Sequence, residues 1–387
     1  MKRPLVTVLM ALYNGGEYLK QSIQSVLNQT YRNFEFLIIN DCSTDDSLRT
    51  IESFQDERIK IYNNETNFGQ TKSLNRGLKL AAGQYIARMD GDDVALPRWL
   101  ERQVEYIAKH PDCSVVSSYA VAIDEKNRVT KLYKPPLDSQ EIILRSLIAC
   151  PIHHVGSVYR IKDVIEIGGY EERYIIASDY ALWEKLIKNN FIITTTPEVL
   201  VAIREHANSI SRSGGRAQDI EETEEIVRKN ITTYVGAQFS NDEINLFYRA
   251  NYEEGDLTAG EFDGAVEMTK KVYMNISLAP KIGSHKLMQW IRHRCEIIYG
   301  KRILFLIKTK NYEGVKELSQ KAIRDIGPLS VFTAVWWASL FGGMVLSLIP
   351  RMYQKMLSFN ARIQLAIQPN LNSSTAIISS VQSKWPK

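Results

Sequence analysis

Through the first 125 residues, short β-rich runs alternate with segments of helical periodicity, and this alternation leaves few architectures open. The stretches "LVTVLMALY" (5–13), "FEFLIIN" (34–40), "IKIYNN" (59–64), "GQYIARMD" (83–90) and "CSVVSSYAVAI" (113–123) read as strands. Between them, "EYLKQSIQSVLNQTY", "DSLRTIESF", "TKSLNRGLKLAAG" and "PRWLERQVEYIAKH" space their apolar residues as helices do. Strands separated by helices predict βαβ units, and so an α/β fold with a doubly wound, mostly parallel, Rossmann-like sheet. Such sheets bind ligands beyond the carboxyl ends of their strands. Asn14, Asp41, Asp90, Asp92 and Asp93 all fall just past such ends.

Past residue 124 the pattern loosens. "DSQEIILRSLIAC" and "SDYALWEKLIKN" read as helices, and "FIITTTPEVLVAIREH" as one or two strands. From 217 onward nearly everything reads helical. The expected organisation is a catalytic domain over 1–215, a helical region over 216–327, an apolar segment over 328–350 and a basic, polar, partly frayed tail over 351–387.

Charge is divided along the chain. Residues 270–327 hold 13 Lys/Arg against 4 Asp/Glu, and residues 351–387 add five basic groups and no acid. With a formal net charge of +4 overall, residues 1–269 carry −10. A basic region is drawn to phosphates of nucleic acid or of lipid. The four cysteines form no C-x-x-C pair and no metal-ligand spacing, as expected of a reduced cytosolic chain. The opening "MKRPLVTVLMALYNGG" imitates a signal peptide, but its apolar run is short and β-branched and no small-residue cleavage site follows; a first strand is expected, not a leader.

The stretch "ARMDGDD" crowds Asp90, Asp92 and Asp93 into four positions, where like charges raise one another's pKa. Alternate carboxylates on a short loop suit a hard divalent cation, Mn²⁺ or Mg²⁺, bridged to substrate phosphates. The bland alternative is a helix N-terminus favouring acids through the macrodipole, Asp93 above all. The glycine and glutamate spacing of an EF-hand is missing, and no Walker phosphate loop occurs. Asp41, in "NDCSTDDS", follows the second strand, where α/β nucleotide folds place an acid against a base or ribose.

Five segments in order over about half the chain resemble the family 2 inverting glycosyltransferases with the GT-A fold. These are "VLMALYNGGEYLKQSIQSVLNQTY", "FEFLIINDCSTDDS", "NFGQTKSLNRGLKLAAGQYIARMDGDD", "GGYEERYIIASDYALWEKL" and "VAIREHANSIS". The resemblance implies a nucleotide-sugar donor. Asp41 would accept from a uracil-type N–H, with Ala11 (where family members usually carry Pro) and Tyr13 around the base. Asp90 would meet the ribose or the metal, Asp92 would ligate the metal holding the diphosphate, and Lys72 or Arg88 would help neutralise phosphate. Asp179 would be the general base that takes the acceptor's proton. It also opens a helix, so capping is its ordinary alternative. Usually an acid precedes this Asp; here Ser178 does. One base suffices for inversion, whereas retaining hydrolases pair an acid with a nucleophile. His206, which follows a strand, would ligate the metal through an imidazole suited to Mn²⁺. His153 and His154 would line the acceptor side.

Residues 328–350 form 23 positions without a charge, with Trp336 and Trp337 in the middle, Gly342 and Gly343, and prolines at both ends. Basic residues flank both sides, which opposes translocation of either. A helix or hairpin dipping into the cytoplasmic leaflet is therefore expected, in a peripheral or monotopic protein at the cytoplasmic face of the membrane, with a buried core helix as the alternative. The expected function is a metal-dependent transfer of a hexosyl or N-acetylhexosaminyl unit, from a UDP-sugar foremost, to a glycan or polyprenyl-linked acceptor. A polymerising synthase would need several membrane spans. A catalytically inactive GT-A domain serving as a scaffold is opposed by the intact Asp41, Asp90, Asp92 and Asp179. Nucleic acid is not an expected partner, since the basic residues form no recognised binding motif.

Overall fold

The computed structural model describes residues 4–206 and, beyond them, 216–235, 239–251, 257, 258, 260–276, 284–308 and 322. Strands β1 (Val6–Leu12) and β2 (Phe34–Asn40) are buried along their whole lengths. They alternate with α1 (Leu19–Leu27) and α2 (Ser47–Glu52), and are followed by β3 (Ile59–Asn63), α3 (Gln70–Leu80), β4 (Tyr85–Arg88), β5 (Val94–Ala95) and α4 (Trp99–Lys109). The largely apolar content of β1 and β2 follows from cover on both faces, and the buried Thr7 and Glu35 bond each other (2.6 Å). Val6, Val8 and Met10 pack with Leu19, Ile23 and Val26 of α1 and with Trp99, Leu100 and Val104 of α4. Leu9 points the other way, against α3, so near Gly77 that a Cβ there would collide with its methyls.

The later elements are β6 (Cys113–Ile123), β7 (Val129–Tyr133), α5 (Ser139–Arg145), β8 (Val158–Arg160), α6 (Ile161–Glu166), α7 (Ser178–Lys188) and β9 (Ile192–Arg204). The nine strands of the described residues belong to one sheet, ordered β3-β2-β1-β4-β8-β6-β9-β5, with β7 beside β6. The run β3-β2-β1-β4 is parallel throughout, and so is β6 with β9. The short strands join antiparallel: β8 to β4 and β6, β5 to β9, and β7 to β6. The α/β class and the parallel frame agree with the sequence reading, and residues 192–204 form one long strand rather than two.

Helices α8 (Arg216–Tyr234), α9 (Asn241–Asn251), α10 (Glu261–Met274) and α11 (Ser284–Lys308) follow, as the helical periodicity beyond 217 predicts. The described residues up to Ile226 form one compact unit and those from Val227 another, a division that falls within α8. In the second unit the Asn251 side chain donates to Thr269 Oγ1 and accepts from Arg294, joining α9, α10 and α11, while Phe247 and Tyr273 meet edge to face. Among the described residues no helix is long and apolar enough to cross a membrane. The segment 328–350 and the tail 351–387 lie outside the described residues.

Candidate functional site

Adjacent strand ends bring the sequence-predicted residues together. The Asp41 N–H donates to Leu12 O (2.7 Å), joining the exits of β1 and β2. Asn14 takes a left-handed conformation (φ 50°), which asparagine tolerates. Its N–H donates to Ser43 Oγ (3.0 Å), and its Oδ1 accepts from the Thr44 N–H (2.8 Å). Gly15 and Gly16 donate in turn to Ser47 Oγ and Asp45 Oδ2. Two loops are thereby clamped side by side, with Tyr13 exposed between them and Ala11 buried in β1 opposite Ile39.

Asp41, only 2% exposed, holds the loop that enters α3. Its Oδ1 accepts from Asn64 Nδ2 (2.6 Å) and the Phe68 N–H (3.0 Å), and its Oδ2 from the Gly69 N–H (2.8 Å). That leaves one lone pair on Oδ2 for an outside donor.

The acid loop follows β4. Gly91 packs closely on β1: a Cβ there would stand 2.7 Å from Leu12 Cδ1, which would have to shift. Ser22 and Ser25 of α1 and Gln29 just after it fasten the loop through Asp90 O, the Ala95 N–H and Leu96 O. Arg88, expected near phosphate, is 0% exposed and its guanidinium pairs with Asp90 Oδ1. Gln70 Nε2 donates to the same oxygen (3.3 Å), and Asp90 Oδ2 has no hydrogen-bond partner among the described residues. Burial holds the Asp90 carboxyl above the usual range; Arg88 opposes that rise and Asp92 adds to it. Lys72 is exposed on α3 and forms no ion pair with an acid among the described residues.

Asp92 Oδ2 lies 3.0 Å from His206 Nε2 at the exit of β9. Asp93 is buried, accepts from the Arg204 N–H (2.7 Å), and is pushed well up by burial and then by Asp92 and Asp90. It precedes α4 without entering it, so the helix-terminus alternative does not hold for Asp93. Arg204 organises this corner. Its guanidinium donates to Asp92 O, Asp124 O, Gln21 Oε1 and Asn127 Oδ1, and lies over Tyr18, whose ring is 5.2 Å from that of His206. Among the described residues no group of three His, Cys, Asp or Glu side chains is arranged to hold a metal ion. Asp92 and His206 nonetheless converge as one oxygen and one nitrogen donor. A hard divalent cation that completes its shell with water and phosphate oxygens fits such a pair.

Asp179 stands in the first turn of α7, where its Oδ1 accepts from the Tyr180 N–H (2.7 Å) and Cys150 Sγ lies 3.6 Å from Oδ2. Burial pushes its carboxyl up to about 6. His153 packs on Tyr133 and burial lowers it to about 4. His154 Nε2 meets the Tyr170 hydroxyl (2.8 Å), which meets that of Tyr159 (2.8 Å); burial holds this imidazole neutral, with the Arg88 charge acting the same way.

Residues 7–168 match glycosyl transferase family 2. An uncharacterized glycosyltransferase of Haemophilus influenzae is 32% identical over 321 residues, which cover 79% of this chain and 96% of that protein. The chain belongs to glycosyltransferase family 2. An uncharacterized glycosyltransferase of Methanocaldococcus jannaschii is 34% identical over 208 residues, covering 53% of this chain and 72% of that one. The amylovoran biosynthesis glycosyltransferase AmsE of Erwinia amylovora is 28% identical over 215 residues, covering 54% of this chain and 80% of that protein. Among solved structures, Staphylococcus aureus TarS 1-349 in complex with UDP-GlcNAc shares 16% identity at a TM-score of 0.49, covering 82% of this chain and 91% of that one; the likeness is too slight to carry an argument.

In this glycosyltransferase, residues that sequence reasoning passed over do much of the positioning. Arg204, Gln70, Tyr18, Cys150 and Tyr170 bear no motif of their own. Arg204 is 3% exposed, and the one available signal was its place in β9 directly before Glu205 and His206.

Proposed function

We propose that this glycosyltransferase moves one sugar from a nucleotide-sugar donor, of the UDP type, to a glycan or polyprenyl-linked acceptor with inversion at the anomeric carbon. The observation that supports this most is the convergence of Asp90, Asp92 and His206 past the ends of β4 and β9, beside the clamped loops that carry Tyr13 and Asp41. In this reading the base stacks near Tyr13 and gives its N–H to the open lone pair of Asp41. Asp90 Oδ2 takes a ribose hydroxyl. Asp92 and His206 would hold Mn²⁺ or Mg²⁺, whose charge, when bound, stabilises the departing diphosphate. Asp179 takes the acceptor hydroxyl's proton, and a carboxyl pushed up to about 6 is a stronger base than an exposed aspartate yet still ionised at neutral pH.

A donor screen tests the reading. Nucleotide release is expected from a UDP-sugar in preference to GDP- and dTDP-sugars when Mn²⁺ is supplied, and to stop with excess EDTA. Full turnover in EDTA would rule out the metal's part.

The +9 balance of residues 270–327, with the uncharged segment after it, supports a place on the anionic leaflet of a membrane, at about 1 kcal/mol per well-placed Lys or Arg. Full-length protein should sediment with anionic vesicles at low salt and be only partly released by high salt, since apolar contact is not screened. A chain that stays free of such vesicles at low salt has no membrane affinity of this kind.

A further inference from the structure

The start of α7 lacks the usual local support. Its N-cap is Ala177, which has no side-chain oxygen, and no side-chain cap is made there. Helix starts leave backbone N–H groups unpaired, and alanine is a poor cap. The segment that leads into α7 is held instead from another helix. Glu222 of α8, 8% exposed, accepts from the N–H groups of Ile175 (3.0 Å, Oε1), Ile176 (2.9 Å, Oε2) and Ala177 (2.8 Å, Oε2), while Gln218 Nε2 steadies Oε1 at 2.8 Å. Three consecutive N–H groups on one carboxylate are charge-assisted bonds, and an anion at a helix N-terminus is further favoured by the macrodipole.

The same segment is gripped from its other side. Thr71 Oγ1 donates to Tyr174 O (2.8 Å), and Asn75 exchanges two bonds with the backbone of Tyr170 (3.0 and 2.9 Å). Glu225, one turn beyond Glu222, pairs with Arg173 (2.6 Å) and accepts from the Tyr174 hydroxyl (3.1 Å). Residues 170–177 are thus fixed between α3, whose Gln70 reaches Asp90, and α8.

We propose that Glu222 is the positioning residue for Asp179: by tying the N–H groups of Ile175, Ile176 and Ala177, it fixes the entry of α7 and so the place of the carboxylate in its first turn. This rests on the reading of Asp179 as the general base. A helix outside the stretch matched by the family, 7–168, thereby becomes part of the catalytic apparatus. The burial that pushes Asp179 up to about 6, together with the charge of Asp219 on α8, agrees with a tightly seated helix start.

Glu222→Ala and Glu222→Gln are compared with the parent chain by UDP release from UDP-glucose and UDP-N-acetylglucosamine in Mn²⁺, by UDP affinity in calorimetry, and by titration of Asp179 in carboxyl ¹³C NMR. Misplacement by about 1 Å costs about 10²-fold, so Glu222→Ala should slow UDP release by about that factor with UDP affinity unchanged. Its Asp179 should titrate lower, toward the ordinary aspartate range. Glu222→Gln keeps an acceptor oxygen and should recover part of both. In an Asp179→Asn background, Glu222→Ala should cost nothing further, because one group acts through the other. An unmoved Asp179 titration, or an equal loss in both backgrounds, overturns the proposal. If Asp179→Asn alone releases UDP normally, the general-base reading falls, and the Asp179 titration by itself decides whether Glu222 seats that carboxylate.

Discussion

Asp92→Asn is expected to lower sugar transfer by about 10³-fold or more, since charge stabilisation of a leaving diphosphate is worth several kcal/mol and each 1.36 kcal/mol is tenfold in rate. The amide keeps the side chain's shape but loses the charge that, with His206 at 3.0 Å, would hold the cation in the proposed reading. UDP binding in Mn²⁺ should weaken in parallel, and chelation of the parent chain should give the same phenotype. Fold stability should hardly move: the Asp92 side chain is 33% exposed, and Arg204 is bound to the backbone oxygen of Asp92, not to its carboxylate. Calorimetry of UDP binding with and without Mn²⁺, beside a thermal melt, checks both halves. An Asp92→Asn chain that transfers sugar at the parent rate would remove this residue from the site.

Asp179→Asn is expected to keep UDP affinity and lose about 10²–10⁴-fold in rate, the usual cost of removing a positioned proton acceptor. The parent rate should climb with pH up to about 6, where the buried carboxyl gives up its proton, and then level off. The sign for stability is opposite. A carboxyl whose folded pKa is raised binds its proton more tightly in the folded chain, so it favours folding at acid pH and opposes it once ionised. The substitution should therefore leave the neutral-pH melting temperature unchanged or higher. Rate profiles from pH 4 to 9 and paired melts measure both. Loss of UDP affinity with an intact rate constant would mark Asp179 as structural.

The frame of the fold was legible because β1, β2 and β4 are long or apolar enough to carry periodicity, and because each ends in a polar residue type that chemistry singles out. Strands β5 and β8 escaped, since two or three residues have no period; tertiary pairing with β9, β4 and β6 makes them strands. The acids were legible as a cluster, but their individual environments were not. Nothing local distinguishes Arg88, sealed against Asp90, from a surface arginine, and its exposure is set by β4 lying between β1 and β8. Arg204 and Glu222 were invisible for the same reason: each takes its role from backbone groups far away in sequence, Asp92 and Ile175 to Ala177 respectively.

The central claim, one displacement assisted by one base, is tested most directly by the anomeric configuration of the first-formed product. With an α-linked UDP-sugar as donor, proton NMR taken before mutarotation should show the β-anomer. A product that emerges as α would mean two displacements, and would contradict the account.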